Sequence, residues 1–213
     1  MNNIKELTKK CRMVDIVIFN PKSKLGVKKI EKLNNIDGKI PFFTSGKKTF
    51  YVNDWLVNGE NIFMNDGGVA DFKFYDGPAH YSDHVISFKS KDTNIVLNKF
   101  IFYSLMNQKN RINDEFFIGS GLKNISKTKF YEFIIPIPPI DIQNQIVRIL
   151  DKYTELEKEL EKELEKELEL RTRQYEYYRN KLLNNNNYDK LKLMNVSKKI
   201  FASGTSKTNN KNY

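Results

Sequence analysis

Apolar residues recur at steps of three and four along the last third of the chain, at Ile142, Ile146, Ile149, Leu150, Tyr153, Leu156, Leu160, Leu164, Leu168, Tyr175, Tyr178 and Leu182. Such spacing lays one apolar stripe along an α-helix. No glycine or proline interrupts residues 141–183, the run Ile135-Pro136-Ile137-Pro138-Pro139 precedes them, and Asp141 is a residue type suited to cap a helix start. One helix is therefore predicted from about Asp141 to Leu183. At roughly 1.5 Å per residue it would span about 64 Å, longer than an ordinary globular helix requires. The stripe predicts a partner helix, in competition with a solvated single helix held by Glu–Lys pairs one turn apart.

Between Glu155 and Leu170 the pattern becomes a repeat of Glu-Leu-Glu-Lys. Four residues advance a helix by about 400°, so the leucine stripe drifts by about 40° per repeat and a strict heptad seam is interrupted.

Upstream the period changes. Ile4 to Met13 reads as a short helix, and Asp15 to Phe19 as a strand ended by Asn20-Pro21. Lys22 to Lys32 is a lysine-rich loop or helix, and Ile40 to Phe43 a strand that runs into a small polar loop with two lysines. Strands are also predicted at Asn61 to Met64, Asp71 to Tyr75 and Asp83 to Lys89, separated by Asn65-Asp66-Gly67-Gly68 and Asp76-Gly77-Pro78. Helical spacing returns from Val96 to Gln108, and Ser126 or Thr128 can cap a short helix to Phe130. The expected class is α+β, a small domain of short strands and glycine-rich loops followed by a long helix.

Charge sharpens this picture. The net charge is +10, while Glu155 to Leu170 holds 8 Glu against 3 Lys, so that −5 lies in the repeat and +15 elsewhere. A basic body points to a polyanion, with nucleic acid ahead of a membrane surface because no amphipathic Lys/Trp helix is present. Cys11 is the only cysteine, which excludes an internal disulfide and a cysteine metal cluster. The N-terminus lacks the apolar core of a signal peptide, and no stretch approaches ~18 apolar residues. A cytoplasmic protein without a cofactor is expected.

Four segments carry a resemblance: Ile40-Pro41-Phe42-Phe43-Thr44-Ser45-Gly46, Ile62 to Ala70, Gly77 to His84, and Gly119 to Ile125. Taken in order they are similar to a target-recognition domain of a type I restriction-modification specificity subunit. Ile135 to Pro139 with Gln143-Asn144-Gln145-Ile146 resembles the junction of that domain with its spacer helix, and Arg173 to Leu183 resembles the usual helix end. The resemblance implies a non-catalytic protein that reads double-stranded DNA, while separate modification and restriction subunits supply methylation and cleavage. It divides the chain into a recognition domain (1–140), a spacer helix pairing as a coiled coil (141–183), and a linker with the start of a second recognition domain (184–213).

The glycine, serine and lysine loops suit phosphates and base edges. The candidate DNA contacts are Thr44, Ser45, Gly46, Lys47 and Lys48; Asn65, Asp66, Gly67 and Gly68; His80, Tyr81, Ser82 and Asp83; and Ser120, Gly121 and Lys123. A complete subunit of that family holds two recognition domains and two helices, whereas this chain has one of each. The expectation is a half-length subunit, the product of a truncated or switched gene, whose helix stripe pairs antiparallel with a second copy and acts as a ruler between two half-sites. An inactive fragment is the first alternative. A magnesium-dependent nuclease built on Asp66, Asp71 and Lys73 is the second, and a coiled-coil scaffold the third.

Overall fold

The structure, a computed structural model, describes residues 7–32, 38–121 and 123–183. The expectation for residues 184–213 lies outside the described residues, as does most of the segment from Ile4 to Leu7. The chain divides into two compact units, residues 1–155 and 156–213.

The first unit alternates short strands and helices: β1 (Lys9–Arg12), α1 (Met13–Ile16), β2 (Val17–Phe19), α2 (Val27–Lys32), β3 (Ile40–Phe43), β4 (Phe50–Val52), β5 (Glu60–Asn65), β6 (Phe72–Asp76), β7 (His80–Tyr81) and β8 (Val85–Ser90). There follow α3 (Asn98–Asn107), α4 (Lys109–Phe116), β9 (Phe117–Ile118), β10 (Asn124–Ile125), α5 (Lys127–Tyr131), β11 (Ile134–Ile137) and the start of α6 (Ile140–Leu183). Four strands form an antiparallel sheet in the order β2-β8-β5-β6, and three form a mixed sheet in the order β4-β3-β7.

Strand β5 shows why a run such as Asn61-Ile62-Phe63-Met64 needs no polar face. Successive side chains of a strand point to opposite sides. Ile62 and Met64 enter the main core with Met13, Phe88, Ile101, Leu105 and Phe130, while Phe63 enters a second core with Phe43, Ala79, Tyr81 and Val85. Both faces of the strand are covered, so β5 holds the two sheets together. Phe42 and Phe43 on β3 divide in the same way, Phe42 entering a third cluster with Ile30 and Phe50.

The structure corrects several expectations. Residues 9–12 form a strand rather than a helix, because β11 offers them an antiparallel ladder from Lys9 opposite Ile137 to Arg12 opposite Ile134. Local propensity yields here to a partner more than 100 residues away. His80 and Tyr81, expected in a loop, add a parallel strand to β3, and α4, not expected at all, buries Ile112 and Phe116. Asp141 is not the helix cap: α6 begins at Ile140, and the N–H groups of Ile142 and Gln143 donate to Pro139. The Asp141 carboxylate instead lies in the first turn, where it complements the helix dipole.

A side chain outside the stripe seats α6. Gln143 is fully buried. Its Nε2 donates to the carbonyls of Ile95 and Pro138, each at 2.8 Å, and its Oε1 accepts the Leu97 N–H at 3.0 Å. Two turns on, Asp151 accepts Lys99 Nζ at 2.6 Å and Tyr103 Oη at 2.7 Å. Burial opposes ionisation of this carboxyl, but the two bonds outweigh it and hold its pKa below the ordinary range.

In the second unit, the helix from Leu156 to Leu183 is exposed throughout. Leu160, Leu164, Tyr175 and Leu182 are each more than half exposed. Among the described residues no helix is long and apolar enough to cross a membrane.

Candidate nucleic-acid interface

Three loops distant in sequence meet at one open cleft of about 540 Å³, lined by Ser45, Gly46 and Lys47, by the turn from Asn65 to Asp71, and by His84, Lys109 and Asn124. Each loop is shaped by bonds that the sequence motifs only hint at.

The first loop turns on Thr44, which is buried while Ser45 to Lys48 are exposed. Thr44 Oγ1 donates to the Lys48 carbonyl at 3.1 Å and accepts the Gly46 N–H at 3.2 Å. Lys73 reaches across from β6 and its Nζ donates to the carbonyls of Thr44 (2.7 Å) and Gly46 (2.6 Å). Burial lowers the pKa of Lys73, against a smaller opposing pull from Asp71. The loop presents Lys47 outward, and Lys48 Nζ sits 4.7 Å from the centre of the Phe50 ring.

In the second loop Asn65 is buried and acts as its brace. Its Nδ2 donates to the carbonyls of Gly67 (3.2 Å) and Val69, and its Oδ1 accepts the Asp71 N–H at 2.7 Å. Gly68 adopts φ 82°, a conformation that glycine takes without strain. Gly67 lies against the start of β10 so closely that a Cβ there would stand 2.8 Å from Asn124 Oδ1. The Gly68 N–H donates to the Lys123 carbonyl at 2.8 Å and the Ile125 N–H to that of Asp66 at 2.8 Å, lacing this loop to the segment around β10.

Strands β9 and β10 pair as a hairpin. Its tip carries Ser120, Gly121 and Lys123, all exposed.

The third segment faces inward. His80 stacks on Phe42 at 5.2 Å, Tyr81 Oη donates to the Pro21 carbonyl, and Ser82 is fully buried with its N–H on the Phe43 carbonyl. Burial pushes the Tyr81 phenol up to about 12. Asp83 is half-buried beside them. The cleft receives His84 instead, exposed, with Nδ1 3.3 Å from Asp66 Oδ1. Of the sixteen residues singled out from sequence, Ser45, Gly46, Lys47, Asp66, Gly67 and Gly68 line the cleft, Asn65 braces it, and His80, Tyr81 and Ser82 serve the core. His84, Lys109 and Asn124 were missed. His84 follows the expected loop from His80 to Asp83 and falls in the strand predicted over Asp83 to Lys89, and Lys109 belongs to a helix whose polar sequence carries no apolar period.

The cleft sets Asn65, Asp66 and Asn124 beside Lys47 and Lys109, and among the described residues no group of three His, Cys, Asp or Glu could hold a metal ion. Of the nuclease constellation Asp66, Asp71 and Lys73, Asp71 is paired with Lys109 at 2.7 Å and Lys73 donates to two backbone carbonyls.

Comparison with known proteins gives the class. Residues 15–170 match the type I restriction modification DNA specificity domain, and the chain belongs to that family. Its relatives include S.HindORF215P of Haemophilus influenzae, assigned to type I restriction enzyme specificity subunits, which is 36% identical over 166 residues, covering 74% of this chain and 42% of the relative. The EcoR124I/EcoR124II specificity subunit of Escherichia coli is 42% identical over 64 residues, 30% of this chain and 16% of that protein. The fold is that of the type I restriction-modification S subunit from M. genitalium, with a TM-score of 0.62 at 21% identity over 73% of this chain and 40% of that one. The chain thus spans about two fifths of the length of its Haemophilus relative.

Proposed function

We propose that this chain is a non-catalytic DNA-reading subunit of a type I restriction-modification complex, with residues 1–140 as the recognition domain and 141–183 as the spacer. The observation that carries the reading is the convergence of three sequence-distant loops on one cleft with Lys47 and Lys109 in its lining. Ser45, Gly46, Lys47, Lys48, Asp66, Gly67, Gly68, Ser120, Gly121 and Lys123, joined by His84, Lys109 and Asn124, form the DNA surface. Thr44, Asn65, His80, Tyr81, Ser82 and Asp83 shape it from beneath. Cations supply a salt-dependent attraction to phosphates, while Asp66 and Asn124 offer the acceptors and donors that tell base edges apart.

The partners on this reading are double-stranded DNA, a modification subunit, a restriction subunit, and a second copy of the chain bound antiparallel through the long helix, all in the cytoplasm. Methyl transfer and cleavage belong to the other subunits, so the chain itself needs no cofactor. Selection from a random duplex library at two salt concentrations, by the purified chain alone and with its modification subunit, tests the reading. An interrupted two-part consensus is expected. A bound pool without any consensus, in both conditions and both compositions, would overturn it.

A further inference from the structure

The stripe of α6 has a two-fold symmetry of its own. From Ile142 to Leu160, leaving aside the half-buried Leu150, its steps read 4, 3, 4, 3, 4 through Ile146, Ile149, Tyr153 and Leu156. From Leu164 to Leu182 they read 4, 3, 4, 3, 4 once Arg171 is counted, and a single step of four joins the halves. Reversing the helix about Lys162 leaves this pattern unchanged. A partner that runs antiparallel presents the reversed pattern, so a second α6 offers a seam that matches the first from Ile142 to Leu182, where Ile146 also packs against the main core of its own chain.

The steps also select the register. With the dyad at Lys162 the ends meet as Ile142 with the partner's Leu182, and the middle as Leu160 with the partner's Leu164. Sliding the partner by one four-residue repeat still sets leucines against leucines, but it places Leu156 against Thr172 and Ile149 against Arg179. The polar member of the seam, Arg171, falls opposite Tyr153. Both are accessible: Tyr153 is 67% exposed, and the Arg171 side chain is 69% exposed while it bonds Glu167 one turn back at 3.4 Å. A guanidinium over a phenol ring is an attractive pair.

We infer that α6 docks a second copy of this chain antiparallel about a dyad at Lys162, with Tyr153 of each copy against the partner's Arg171. The inference rests on the self-pairing reading above and adds the register to it.

Nitroxide labels at single cysteines on the outer face test the two separately. In the full chain with Cys11→Ala, or Cys11→Val if the first melts early, labels are placed at Lys162→Cys, Glu155→Cys, Glu169→Cys, Arg148→Cys and Glu176→Cys. Inter-copy distances are then read by double electron–electron resonance. In an antiparallel pair the axial separation grows by about 3 Å per residue from the dyad. The distance is expected to be shortest at 162 and equal at 155 and 169, with an axial component near 21 Å. It should be equal again at 148 and 176, with a component near 42 Å. A dimer whose equal-distance pairs are centred elsewhere overturns the register and leaves self-pairing standing. Equal distances at every site mean a parallel pair, and absence of any inter-copy distance means a monomer; either overturns both.

Discussion

Lys73 Nζ lies 2.7 Å from the Thr44 carbonyl oxygen, and a second bond to Gly46 makes this one lysine the strut under the loop that carries Lys47. A strut and a contact have different signatures. Lys73→Met is expected to weaken DNA binding several-fold by loosening the loop, while the slope of log affinity against log salt stays as it was. Lys47→Ala removes a phosphate partner and should flatten that slope by about 0.9. Filter-binding titrations at several salt concentrations separate the two; equal slopes in both variants would show that Lys47 does not touch phosphate.

Gln143 predicts a stability effect far from the cleft. Gln143→Leu keeps the volume but strands the Leu97 N–H and two carbonyls in a fully buried place. A loss of about 3 kcal/mol is expected in urea unfolding, since each unsatisfied buried group costs about 1–3 kcal/mol. A loss below about 1 kcal/mol would mean that water replaces the amide.

The Tyr81 phenol, pushed by burial from 10.0 to about 12, links folding to alkaline pH. Because the folded-state value is raised, its contribution is complete below about pH 10 and is lost as pH rises towards about 12. Tyr81→Phe should therefore lose about 1 kcal/mol at pH 8, from its bond to Pro21, and show a flatter decline between pH 10 and 12. Tyr103, whose phenol is also raised, keeps the decline from vanishing. Denaturant titrations at pH 8 and 11 read both effects.

Self-association and DNA binding should answer salt in opposite directions. Every leucine from Leu156 to Leu168 has a glutamate on each side, while Lys158, Lys162 and Lys166 lie on the far face. Two such seams bring glutamate beside glutamate, so added salt should tighten the dimer as it screens them and loosen DNA as counterions return. Sedimentation between 50 and 500 mM salt checks the first, and a dimer that weakens with salt would refute it.

Deleting Glu163 to Lys166 removes about 6 Å of helix, slightly under two base-pair rises. The preferred gap between half-sites should shorten by one or two base pairs in the selected consensus. An unchanged gap would refute the ruler.

The parts of this fold that were legible in the sequence are those with one dominant physical demand. The long helix was visible because its stripe repeats over forty residues without a breaker, and β5, β6 and β8 because they are apolar runs closed by glycine turns. What escaped depended on distant partners. Lys9–Arg12 is a polar segment whose strand exists because Ile134–Ile137 lies beside it. His80 looked like a ligand residue because it sits in a polar stretch, but the strand formed with Phe42 and Phe43 turns it into the core and leaves His84 to face outward. Gln143 belongs to the junction motif, yet its role as a buried clasp requires the Ile95 carbonyl and the Leu97 N–H, which lie at the start of a different helical segment.

The ladder between Lys9–Arg12 and Ile134–Ile137 has a consequence for how such a chain evolves. The strand at the start of the reading module is zipped to the strand just before its spacer, and Arg12 completes the closure with Glu132 at 3.1 Å. On the proposed reading, a foreign module that carries its own closing ladder has to rebuild the socket for Gln143, the partners of Asp151 and the core that receives Ile146 and Val147. If residues 1–140 read DNA as proposed, new target specificities can arise by exchange of that cassette, without redesign of the rest of the helix.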